Sequence, residues 1–324
     1  MNTIDTAGVR EVLMDAHTPD GVALAGTLTL PPGEGPHPAA LLLPGSGPVD
    51  RNSDAGRMKL ALGGELARML AERGVALFRY DRRGVGATPG DWRAAGFAQN
   101  REDAAAAMAA LRARPEARTD AVAVIGHSEG ALHAAALGAR GGPATVVLLA
   151  CPARPGEEVL LWQARMIGDD LPRPVALLLK LLRTDIHKQQ AATIARIKAT
   201  TTDVARVRGA RVNARWMREF LVHDPRADLA AITVPVLAIT GDKDLQSDPD
   251  DLEVIARLVP GPVQVRRVPD LTHLLRRDPR PASLRTYRSQ LRSPVDPELL
   301  GAVAGWVADH LAERQVHRVD QDPA

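Results

Sequence analysis

Gly126-His127-Ser128-Glu129-Gly130 is the stretch from which the chain is best read. It follows the apolar run Ala121-Val122-Ala123-Val124-Ile125 and passes directly into Ala131-Leu132-His133-Ala134-Ala135-Ala136. A short run with β character followed at once by strong helix formers predicts a sharp strand-to-helix turn with the serine at its apex. Such a turn holds the hydroxyl clear of the backbone and leaves no room for side chains on its flanks, the steric reason for a glycine at each end. Ser128 is the candidate nucleophile.

Working outward, short β-type runs alternate with longer Ala- and Leu-rich segments at helical spacing, the pattern of βα units around a mostly parallel sheet with helices on both faces. Arg10–Met14 and Val22–Leu30 read as an opening antiparallel pair, joined through His17-Thr18-Pro19-Asp20-Gly21, where Pro presets φ and Gly accepts a positive one. Buried-type strands follow at Ala39–Leu43, Val75–Tyr80, Ala121–Ile125, Thr145–Ala150, Val234–Thr240 and Val263–Val268. Helices are expected at about 56–73, 98–113, 129–139, 249–258 and 297–312.

The alternation fails between Cys151 and about Ala231, where only helical pattern broken by Pro and Gly is found, including Glu157–Ile167, Val175–Leu182 and Gln189–Phe220. Some eighty residues far exceed a connection of 2–6 residues plus one helix. They are read as a helical cap inserted after the sixth strand. The expected organisation is a core domain of residues 1–150 and 232–315, a cap of 151–231, and a loose polar tail of 316–324. A segment that leaves and rejoins the carboxyl edge of the sheet must roof the loops there. The apolar stretches Val159–Ile167 and Val175–Leu182 are the expected lining of an acyl pocket.

A serine nucleophile needs a base and the base an orienting carboxylate, which in this architecture follow in the order acid, then histidine, on loops after later strands. The loop Gly241-Asp242-Lys243-Asp244-Leu245-Gln246 offers Asp242 and Asp244. With Gly241 opening the turn, Asp242 leaves along the strand while Asp244 curls back over the sheet edge, which favours Asp244. Of nine histidines, only His273 stands on a loop just after a strand downstream of the acid. His127 points away from its neighbour Ser128 and is expected to be packed or exposed. Negative charge developing on the substrate oxygen wants two backbone N–H donors. Glu129, after the nucleophile, supplies one; Ser46, in the glycine-rich loop Leu43-Pro44-Gly45-Ser46-Gly47-Pro48, is the candidate for the other.

Other features read as bland. Gly84-Val85-Gly86-Ala87-Thr88-Pro89-Gly90 mimics a dinucleotide fingerprint, but its third glycine comes one position late and Pro89 interrupts the helix start. Arg276, Arg277, Arg280, Arg285, Arg288 and Arg292 read as a solvated loop, and Cys151 as a small core residue at the cleft. No cofactor and no metal are expected. Across 324 residues, 41 Lys and Arg balance 39 Asp and Glu to a formal charge of +2, which argues against a nucleic-acid partner. One cysteine excludes an internal disulfide, and no export-type apolar stretch or membrane span is visible. The expectation is a soluble cytoplasmic protein acting on a small molecule, with assembly into a homo-oligomer left open.

These residues resemble the α/β-hydrolase superfamily over most of positions 10–312. Within it, the chain resembles cap-bearing bacterial esterases near the serine aminopeptidases and dienelactone hydrolases. The likeness rests on Pro44-Gly45-Ser46-Gly47-Pro48-Val49-Asp50-Arg51, Tyr80-Asp81-Arg82-Arg83-Gly84-Val85-Gly86, the segment around Ser128, and Asp224-Pro225 leading to Pro235 through Gln246. It implies Ser128 as nucleophile, Asp244 as acid and His273 as base. Where relatives commonly carry a histidine before the oxyanion glycine, this chain has Pro44. The expected activity is a serine carboxylesterase for small or medium acyl esters; the alternatives are a peptidase releasing N-terminal residues and a hydrolase-shaped binding protein without turnover.

Overall fold

The computed structural model describes residues 3–4, 8–172, 174, 186–207 and 209–319. Its main sheet has nine strands: β1 Thr3–Ile4, β2 Arg10–His17, β3 Ala23–Leu30, β4 His37–Leu43, β5 Ala76–Tyr80, β6 Ala117–His127, β7 Thr145–Leu149, β10 Val236–Gly241 and β11 Val263–Val268. Their order across the sheet is β1-β2-β3-β5-β4-β6-β7-β10-β11. The first three strands run antiparallel, and all pairs from β4/β5 to β10/β11 are parallel. The short β1 precedes the expected opening pair, so the sixth expected strand is β7.

Period-two alternation divides the strand residues between two cores, as expected of strands covered on both faces. Leu41, Leu43, Val122, Val124, Val236 and Ala238 face one side, against α2 (Phe97–Arg112) and α3 (Glu129–Ala139). Ala40, Leu42, Ala123, Ile125, Leu237 and Ile239 face the other, against α1 (Leu62–Ala71) and the C-terminal helix Pro297–Val319. After β4 the chain pairs β5 on one side and then crosses to β6 on the other. The loops leaving β4 and β6 therefore meet at a switch point, where an open α/β sheet forms its crevice.

Three expectations about elements need correction. Helix α1 starts six residues later than 56: Ala61 lies at φ 57, which no continuing helix accepts, and Asp54 Oδ1 ties down the Ala61 N–H at 2.9 Å. The segment between β7 and β10 is not wholly helical. Besides α4 (Gly156–Asp169) and the helices Ile186–Lys198 and Ala214–Val222, it holds an antiparallel hairpin, β8 Val204–Val207 and β9 Ala210–Asn213, with Gly209 at φ 83 in the turn. The C-terminal helix runs to Val319, past the expected limit of 312, because nothing from Gln315 to Val319 breaks it. The expected helix Val175–Leu182 lies outside the described residues.

The segment between β7 and β10 has a small apolar cluster of its own, in which Ile194, Ile197, Val207 and Leu221 pack with Leu160, Leu161, Val212 and Met217. It is also pinned to the core. Asn213 Nδ2 donates to the carbonyls of Trp92 and Ala95 at 2.8 and 2.7 Å, and its Oδ1 caps the following helix by accepting from Trp216 N at 2.9 Å. Phe220 stacks on Trp216, and both rings meet Phe97 of α2. Among the described residues, no helix is long and apolar enough to cross a membrane.

Candidate active site

The strand-to-helix turn after β6 is as tight as its two glycines require. A Cβ on Gly126 would lie 2.2 Å from the Gly130 carbonyl oxygen, and one on Gly130 would lie 2.1 Å from that of Leu43. Between them Ser128 is held at φ 56, ψ −119, a conformation L-residues avoid and surroundings must enforce. Its N–H donates to Leu149 O at 2.9 Å, anchoring the turn to β7, and its carbonyl accepts from Ala131 N as α3 begins.

The Ser128 hydroxyl lies 3.1 Å from His273 Nε2, and His273 Nδ1 lies 2.8 and 3.0 Å from the two carboxylate oxygens of Asp244. Asp244 and His273 are buried, whereas Ser128 is partly open. Asp244 Oδ1 also accepts from the backbone N–H of Gln246 and Ser247 at 2.7 and 2.8 Å, which fixes the carboxylate beneath the ring. Asp242, in the same turn, is exposed. Gly241 is required by proximity: its Cβ would lie 1.9 Å from Leu271 O in the neighbouring loop. The loop bearing His273 is braced by positive φ at Asp270 and Leu275 and by the Thr272 N to Arg276 O bond of 3.0 Å. This chain of groups can draw a proton from the serine onto the imidazole while the carboxylate holds Nδ1–H.

His127 is packed. Burial lowers its pKa to about 3, so the ring is neutral, and its Nε2–H donates 3.0 Å to the carbonyl of His273. Arg276 corrects the solvated-loop reading of its cluster. It is buried and donates to the carbonyls of Leu274, Leu60 and Ser293 at 2.6, 2.8 and 3.1 Å, holding the histidine loop to its surroundings. Arg277 and Arg280 are paired outside with Asp296 and Asp278. Cys151 is buried, and burial pushes its thiol pKa up, so it is a core residue.

Ser46 and Glu129 flank the same point. A Cβ on Gly45 would lie 3.5 Å from Ser128 Cβ, and among the described residues no backbone carbonyl accepts from the N–H of Ser46 or Glu129. The Glu129 side chain, given no part in the sequence reading, is buried among Arg82, Asn100 and His133. Burial disfavours its charge, yet Arg82 and His133 hold the carboxyl well below the usual range. The Tyr80-to-Gly86 motif is likewise a set of clamps: Asp81 binds Arg51, Arg82 binds Glu129, and Arg83 binds Asp20 and Asp103.

A cavity of about 330 Å³ adjoins this point, walled by Ser46 and Gly47 on one side and by Trp92, Arg211, Trp216 and Met217 on others. Its described lining contains three arginines and no Asp or Glu. The segment between β7 and β10 contributes Arg211 to Asn213, Trp216 and Met217, not the expected Val159–Ile167, because Val159 and Leu160 turn toward the interior packing instead. Trp216 has no role in the sequence reading, and the Gly209 turn was the signal for the hairpin that precedes its helix.

A mostly parallel sheet with helices on both faces and a strained serine after β6 defines an α/β hydrolase. More narrowly, the chain belongs to the serine aminopeptidase S33 family, whose family model matches residues 60–280. Esterase EstD of Thermotoga maritima is 27% identical over 291 residues, 88% of this chain, and the chain spans 65% of that curated relative's length. The solved structure of Est1E from Butyrivibrio proteoclasticus with ferulic acid bound superposes at TM-score 0.59 with 16% identity, covering 94% of this chain and 99% of that one. Proline iminopeptidase from Mycobacterium smegmatis gives 0.60 at 16% identity, covering 94% and 100%. An esterase and a peptidase match equally well, so the likeness carries the fold and leaves the substrate open.

Proposed function

We propose that this chain is a serine carboxylesterase that cleaves small or medium acyl esters through an acyl-enzyme on Ser128. Ser128 Oγ attacks the ester carbonyl as His273 Nε2 takes its proton. Asp244 holds Nδ1–H and stabilises the imidazolium, and the N–H groups of Ser46 and Glu129 receive the oxyanion. The tetrahedral adduct collapses as His273 returns the proton to the departing alkoxide, and water repeats the sequence to release the acid. The observation that carries this reading is the continuous contact from Ser128 through His273 to Asp244, at 3.1 and 2.8 Å. In this reading residues 151–231 form a cap on a core made of 1–150 and 232–315, and the acyl or alcohol group enters the cavity beneath β9 and the helix Ala214–Val222.

The family name and the iminopeptidase likeness raise a second reading, release of N-terminal residues from peptides. A peptidase of that kind has to hold an ammonium group. Arg82 and Arg83 in the described cavity lining are already paired with Glu129, Asp20 and Asp103, and with no carboxylate in that lining to receive an ammonium group a neutral substrate is favoured. The test is a panel of nitrophenyl esters of rising acyl length beside aminoacyl nitroanilides. The proposal expects ester turnover with kcat/KM rising over the first few carbons, by up to about fourfold for each buried CH₂ at about 0.8 kcal/mol, then falling once the cavity is full. Anilide turnover exceeding ester turnover would overturn it.

A further inference from the structure

We infer that Arg82 is a positioning residue that sets both oxyanion donors through one guanidinium, an inference that rests on the esterase reading above. Arg82 is nearly buried, on the loop after β5. Its Nη1 donates to the carbonyl of Gly45 at 2.6 Å and to Glu129 Oε2 at 3.1 Å, and its Nη2 donates to Glu129 Oε1 at 2.8 Å. The two partners are the residues that control the two donors.

The Gly45 carbonyl and the Ser46 N–H belong to one planar trans peptide, so they point in opposite directions. Fixing the carbonyl on Arg82 turns the Ser46 N–H away from Arg82. Gly45 lies against Ser128 on that loop, where its Cβ would be 3.5 Å from the serine's. At the other end, the Glu129 N–H is the first donor of α3, and its side chain is locked by Arg82 together with Asn100 Nδ2 and His133 Nε2, each 3.0 Å from Oε1. The fork therefore couples the loop after β4 to the turn after β6, two segments that the sheet brings near but does not join by backbone hydrogen bonds at this point.

The same pair solves an electrostatic problem. A buried carboxylate one residue from the nucleophile would oppose any negative charge forming on the substrate oxygen. Arg82 neutralises it, and because its pairing with Glu129 is bidentate the geometry is as fixed as the charge. Lysine could keep the charge but could not span Gly45 and both Glu129 oxygens.

The test uses the full chain, with active sites counted by fluorophosphonate titration, and measures kcat and KM for nitrophenyl butyrate and Ki for a trifluoromethyl ketone, which forms an anionic adduct on the serine. Arg82→Lys is expected to lower kcat per titrated site by about 10- to 100-fold, somewhat less than deletion of a whole oxyanion donor, with KM within about threefold. The ketone Ki should rise in step with the loss in kcat/KM. Should that variant not fold, Glu129→Gln keeps the side-chain shape, breaks the charged fork and is expected to show the same split. A purely structural role would reduce the number of titrated sites and leave the rate per site intact. Turnover per site within threefold of wild type, or a change carried wholly by KM, would overturn the inference. If the wild-type chain itself neither takes up fluorophosphonate nor cleaves any ester, the esterase reading fails as well; if only the variants behave like wild type, Arg82 alone is at fault.

Discussion

The strained backbone at Ser128 makes a stability prediction that can be separated from catalysis. Ser128→Ala and Ser128→Gly both remove the hydroxyl and its 3.1 Å contact with His273, so the difference between them reports on the backbone. At φ 56, ψ −119, a residue with a Cβ carries strain of about 2 kcal/mol, within the 1–3 typical of such positions, and glycine relieves it. Against this, glycine gains about 0.7 kcal/mol of unfolded-chain entropy, and loss of a half-buried methyl costs about 0.4 kcal/mol. The balance leaves the glycine variant more stable than the alanine variant by about 1 kcal/mol, the reverse of the order expected at an ordinary position. Urea denaturation of both purified variants measures it through their midpoints, with slopes compared to verify that the exposed surface is unchanged. Both should lack ester turnover. An alanine variant at least as stable as the glycine variant would refute the claim that the turn stores strain at the serine.

Three further outcomes follow from the geometry. Asp244→Asn should lower kcat by more than 100-fold and the exposed Asp242→Asn by less than twofold; the opposite ranking in per-site kinetics would move the acid to Asp242. Gly126→Ala puts a methyl 2.2 Å from the Gly130 carbonyl, so the turn must open by about 1 Å, which should cost about 100-fold in kcat, and a variant with wild-type kcat would show that the turn is not tight. In acid, His127 and His223 are lowered by burial to about 3 and about 4, so between pH 6 and 5 the unfolded chain binds their protons and the folded chain does not. Stability should therefore fall as pH falls, by about 1 kcal/mol per pH unit for each group, and urea midpoints that stay constant across that interval would contradict the burial of the two rings.

The inner parallel strands were legible because burial on both faces leaves continuous apolar runs, as in β7, buried throughout, whereas β11 has the expected limits, Val263–Val268, but corrects the buried-type reading: as an edge strand it is mostly exposed. The order serine, acid, histidine singled out residues that lie within hydrogen-bond reach, because each follows a different strand onto the same edge. What was not legible depends on long-range contacts. Nothing local says that Glu129, on an apparently ordinary first turn of a helix, meets an arginine 47 positions earlier, or that Arg276 spends its charge on carbonyls rather than solvent. The late start of α1 was hidden for a similar reason: the Ala55–Met58 bridge and the Ala61 N–H donating to Asp54 Oδ1 hold residues 56–61 out of the helix through contacts that composition does not show. The hairpin of β8 and β9 was missed because two four-residue strands were outweighed by the helical pattern around them.

The claim that this chain works through a serine acyl-type intermediate is tested most directly by mass spectrometry of the protein after reaction with a fluorophosphonate, followed by digestion and sequencing of the modified peptide. The account predicts one adduct per chain, on Ser128, absent from Ser128→Ala. An adduct on any other residue, or undiminished labelling of the alanine variant, would contradict it.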